Sequence, residues 1–89
     1  MTARCDMTAV EREELLVQQG VLTILLEAYP AQQAVDEVVR QMTDEIHRPI
    51  ARERIENAIR DLFGVGLLHL NGPFVFATLA AVRFDELRN

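Results

Sequence analysis

The stretch "RERIENAIRDLFGVGLLHLNGPFVF", residues 52–76, limits what this chain can fold into more than any other. Ile55, Ala58, Ile59 and Leu62 recur at three-and-four spacing, which is one apolar face of a helix. Glu53, Glu56, Asn57 and Arg60 fall on the opposite face. Gly64 or Gly66 can take the left-handed conformation that ends such a helix. "LLHL" and "FVFAT" then read as two short strands, and Asn71-Gly72 between them is a hairpin signal. Pro73 suits the start of the second strand, where no ladder donor is needed. The segment therefore dictates a helix followed at once by a hairpin.

Upstream, Thr8 and Glu11 have capping-box spacing ahead of "AVEREELL", so a first helix starts there and residues 1–7 are expected to fray. Gly20 costs about 1 kcal/mol inside a helix, which predicts a kink or break. From Val21 to Tyr29 the helix is apolar on nearly all sides, as buried helices are, and Pro30 stops it. "AQQ" reads as a short extended linker or one-bridge strand. "AVDEVVRQM" places Val35, Val38, Val39 and Met42 at helical spacing, a short second helix. "TDEIHRP" reads as a turn, and Pro49 suits the first turn of a third helix over about 50–63. The hairpin covers about 67–78. Thr78 then caps a last helix over about 79–87, with Leu79, Val82 and Leu87 facing in.

One domain is all that 89 residues allow, so residues 1–89 are read as a single unit. A single cysteine, Cys5, leaves no intrachain disulfide, which fits a reducing compartment. No long apolar region follows Arg4 and Asp6, so a secretory leader is not expected, and the longest apolar runs are far short of a membrane span. A soluble cytoplasmic protein that does not engage a membrane is the expectation. The net charge is -5, but it is uneven. Residues 1–47 carry nine acids against three arginines, while 48–61 carry Arg48, Arg52, Arg54 and Arg60 against Glu53, Glu56 and Asp61. Every basic residue is an arginine, and the chain has no lysine, serine or tryptophan. With no glycine-rich phosphate loop and no catalytic constellation, an enzyme is not expected. His47, His69, Asp44 and Cys5 show no metal-ligand spacing, and no cofactor is expected.

At "IENAIRDLFGVGLLHLNGPFVFAT" the chain resembles the winged helix-turn-helix superfamily, and the likeness extends over roughly Val21 to Leu87. Ile55, Ala58, Ile59 and Leu62 match its packed third helix, Gly66-Leu67 the helix exit, "HLNGPF" the wing turn and Glu37-Val38 a pair common in the second helix. The resemblance implies a mainly α fold with a small β-hairpin wing. It implies a transcription-regulator-like protein that binds duplex DNA, with the third helix in the major groove. Carried onto this chain, the DNA contacts are Arg48, Arg52, Glu53, Glu56, Asn57 and Arg60. Arginine can bond guanine, asparagine adenine, and glutamate can accept from cytosine.

The chain departs from the DNA-binding pattern in three places. Acids are mixed into the contact face, the wing tip "LNGP" has no basic residue, and Ala34 stands where the second helix usually has a Thr or Ser cap. The alternative to DNA is a winged-helix module that binds protein, and the plain alternative for the arginines is a solvated surface on which Arg52 and Glu56 pair. Winged-helix regulators are commonly homodimers, and Ile24, Leu25 and Ala28 are the candidate dimer strip. The alternative for that strip is core.

Overall fold

The computed structural model describes residues 8–46 and 50–88. Arg48, His47, Pro49, Cys5 and the expected fraying of 1–7 lie outside the described residues. The described chain is mainly helical, with four helices and one small antiparallel sheet. The elements are α1 (Ala9–Ala28), β1 (Gln33–Ala34), α2 (Val35–Ile46), α3 (Arg52–Gly64), β2 (Leu68–Asn71), β3 (Phe74–Ala77) and α4 (Leu79–Arg88).

The α1 start is built as the sequence implies. Thr8 Oγ1 accepts from the Glu11 N–H at 3.1 Å, and Glu11 Oε1 accepts from the Thr8 N–H at 2.9 Å. The helix passes through Gly20 without a break, which corrects the expected break there. The reason is tertiary. A Cβ at Gly20 would lie 2.9 Å from both Sδ and Cε of Met42, so the glycine lets α2 lie close against α1.

α2 also departs from expectation. It continues through "TDEI" rather than turning there. Arg40 pairs with Glu37 on one side and with Asp44 at 2.9 Å on the other, a ladder at i, i+3 and i, i+4 that supports the extra turn. α3 starts at Arg52, two residues later than expected, where the Ala51 carbonyl accepts from the Arg54 N–H at 3.0 Å. Its end is a Schellman arrangement. Gly66, at φ +87°, lets its own N–H reach the Phe63 carbonyl and the Leu67 N–H reach the Leu62 carbonyl, at 3.1 and 3.0 Å.

The strand order is β1-β3-β2, all antiparallel. Asn71 pairs with Phe74, so the two loop residues are Gly72 and Pro73, one position later than an Asn-Gly turn would place them. Proline cannot take a positive φ, and Gly72 has φ +61°. With Gly72 and Pro73 as the loop, those two facts fit a glycine-first II′ pattern, while an Asn71-Gly72 turn would need a closing N–H that Pro73 lacks. Pro73 thus sits in the turn rather than opening the strand, and its carbonyl accepts from the Val35 N–H at 3.0 Å. That bond ties the start of α2 to the hairpin tip.

The core draws on every helix and both hairpin strands: Val17, Val21, Ile24 and Leu25; Val38 and Met42; Ile55, Ala58, Ile59 and Leu62; Leu68, Val75, Ala77 and Ala81. Burying each large aliphatic side chain is worth roughly 1.5–3 kcal/mol. Ile24 and Leu25 are 3% and 0% exposed, so two of the three strip residues proposed for a second copy are spent on this chain's own core. Ala28 is half-buried. α4 departs from expectation at Leu79 and Leu87, which are exposed; Val82 is half-buried and Ala81 faces in. Thr78 does cap it, accepting from the Ala81 N–H at 3.2 Å while its hydroxyl donates to the Gly66 carbonyl at 2.7 Å.

Candidate nucleic-acid interface

The packed stripe of α3 fixes where its polar residues point. With Ile55, Ala58, Ile59 and Leu62 inward, Glu53, Asn57 and Arg60 are exposed on the opposite side. Arg52 and Glu56 lie toward α2 and the hairpin. Arg54 and Asp61 lie toward α1, where Arg54 pairs with Glu13 at 2.9 Å and Asp61 accepts from Gln18 at 3.2 Å. Those two links flank the Val17–Ala58 part of the core and hold α3 on α1.

The arginines of the candidate set have different fates. Arg52 is clasped by two carboxylates: its Nε donates to Glu56 at 2.7 Å, and its Nη2 pairs with Asp36 on α2. The bond to Glu56, and after it the bond to Asp36, pushes the guanidinium pKa upward. Arg60 meets no carboxylate among the described residues. Its one acceptor is the Asn57 side-chain carbonyl, at 3.2 Å. Sequence spacing anticipates the Arg52–Glu56 pair, but not Asp36, which is sixteen positions away and reaches the face only because α2 packs beside α3.

Between α2, α3 and the hairpin tip is an open groove of about 360 Å³. Ala34, Val35, Ile59, Leu70, Gly72 and Pro73 supply its apolar surface, and Asp36, Arg52, Glu56 and Arg60 its charges. The Val35–Pro73 backbone bond sets the groove's width at one end. Asn57 lines a different, much smaller crevice of about 30 Å³ against α1. The candidate residues thus do not form one positive patch. Glu53, Glu56 and Asp36 stand among Arg52 and Arg60.

A second groove, of about 390 Å³, lies between Tyr29, Pro30, His69, Phe76 and Leu79. His69 is on the outer hairpin face, its ring 5.2 Å from that of Phe76 and 6.3 Å from that of Phe63. Among the described residues no three His, Cys, Asp or Glu side chains gather in a group able to hold a metal, and no helix is long and apolar enough to cross a membrane. No family model, curated protein or solved structure matches this chain.

Proposed function

We propose that the chain is a winged helix-turn-helix protein that binds duplex DNA through the outward face of α3 and acts in transcription regulation in the cytoplasm. The order helix, short strand, two helices, hairpin, helix supports the fold reading. The observation that carries the function is the Asn57–Arg60 pair. Both side chains are exposed one turn apart on α3, and the only bond between them is to a neutral oxygen. In the major groove Arg60 bonds guanine or phosphate, and Asn57 bonds adenine. Arg52 reaches a phosphate only by leaving Asp36 and Glu56, and an exposed pair of this kind yields readily to a competing anion. A homodimer presents two such helices to two half-sites.

The test is a fluorescence-anisotropy titration against random duplex DNA at low and physiological salt. Arg60→Ala should flatten the log–log salt dependence by about 1 if it meets a phosphate. Asn57→Ala should leave that slope alone and alter sequence preference. Absence of binding at low salt refutes the DNA reading, because the unspecific electrostatic part needs no particular operator.

A second reading is a winged-helix module that binds protein. The Arg52 clasp favours it, as do the apolar side chains left in water on α1 and α4: Val10, Leu15, Leu16, Leu79, Phe84 and Leu87. Under that reading, polar substitutions at Leu79 and Leu87 abolish association while Arg60→Ala leaves it intact.

A further inference from the structure

We propose that the groove between α2, α3 and the hairpin tip binds a small monocarboxylic acid with an apolar body, its carboxylate on Arg60 and its body on Val35, Leu70 and Pro73. The site itself does not rest on the DNA reading.

Three observations carry it. The groove's volume, about 360 Å³, is that of a small-molecule pocket. Its apolar wall stands among four charged side chains, so an occupant must cover Val35, Leu70 and Pro73 to displace water from them. The third is the state of its four charges. Arg52, Asp36 and Glu56 satisfy one another. Among the described residues Arg60 holds only the Asn57 carbonyl, and a guanidinium has five N–H donors in a planar fork that matches a carboxylate. The one open electrostatic demand in the groove is therefore for a single planar anion.

The same charges set the upper limit. Arg52 with its two acids leaves one negative charge in excess, and Glu56 stands one turn before Arg60 on α3. A second anionic group on the ligand would lie against Asp36 and Glu56. Monoanions are selected over dicarboxylates and phosphates.

The probe is 4-phenylbutyrate, followed by two-dimensional amide NMR of the full chain, with neutral 4-phenylbutyramide and the Arg60→Gln variant beside it. Saturable shifts are expected at the amides of Val35, Ile59, Leu70 and Gly72. Hydrogen bonds to charged groups imply at least roughly tenfold weaker binding for the amide and for Arg60→Gln. Arg60 is exposed, so the variant folds. The inference is overturned by no saturable shift up to about 10 mM ligand, the weak end of the affinity scale. It is also overturned by equal binding of acid and amide, by equal binding to parent and variant, or by shifts at Tyr29, His69 and Leu79 instead. If the protein binds DNA, the acid should compete with it through Arg60. If it does not, the NMR titration still decides the site.

Discussion

Gly20→Ala probes the contact that sets α2 against α1, and with it the position of Asp36 beside Arg52. In an exposed helix this change stabilises by about 1 kcal/mol, because alanine loses less backbone entropy. Here the new Cβ would stand 2.9 Å from Met42 Sδ and Cε. Those atoms end a flexible side chain, but Met42 is only 1% exposed, so its end cannot swing into solvent. Overpacking of a filled core costs about 1–3 kcal/mol. Setting this against the helix gain, the net is a loss between about 0 and 2 kcal/mol. Each kcal/mol corresponds to roughly 4–8 °C in Tm for a domain of this size. Thermal unfolding by circular dichroism should therefore show a lowered Tm. In a Met42→Val background the obstruction is gone, and the same substitution should raise Tm. A double-mutant cycle should give a coupling of about 0.5–3 kcal/mol. If Gly20→Ala alone raises Tm by several degrees, the glycine is not there for the helix approach and the packing argument fails.

Asp36→Asn with Glu56→Gln releases Arg52. The double variant should bind DNA more tightly at low salt, with a salt slope steeper by about 0.9 for one added phosphate contact; an unchanged slope shows that the clasp does not withhold Arg52. The Glu37 carboxyl is held down at about 2 from 4.5, first by the hydrogen bond from Arg40 and then by that from Gln41. Its folded pKa is depressed, so its stabilising effect is complete above the unfolded value and is lost as pH falls from about 4.5 toward 2. Tm measured across that window should fall less steeply for Glu37→Gln than for the parent. Gly66→Ala must place a side chain at φ +87° with no atom within 4 Å, so its cost is backbone alone, about 1–2 kcal/mol in a denaturant titration. Gly64→Ala, with equally open space and no positive φ, should stabilise, and a loss there would refute the distinction.

What the sequence by itself determined is what neighbours within four residues decide. The Thr8–Glu11 box, the Ile55–Leu62 stripe, the Gly66 exit and the presence of a hairpin are all set by local spacing, and each stands in the structure. Even the shift of the turn to Gly72-Pro73 has a local reason, because an Asn71-Gly72 turn would need a closing N–H that Pro73 lacks. The solvent face of α3 followed from the same stripe for Glu53, Asn57 and Arg60, whereas Glu56, read onto that face too, is half-buried at the groove. Tertiary structure alone decided the rest. Gly20 looked like a break until Met42, 22 positions on, came to lie over it. Gln33–Ala34 became a strand only because Val75 and Phe74 pair with it. Arg52 looked available for a phosphate until α2 brought Asp36 to it, and α4 buried Ala81 rather than its larger apolar residues. Each of these depends on a contact between elements far apart in the chain. Periodicity reports which face of an element is apolar; it carries no information about which distant residue that face, or the charge beside it, will meet.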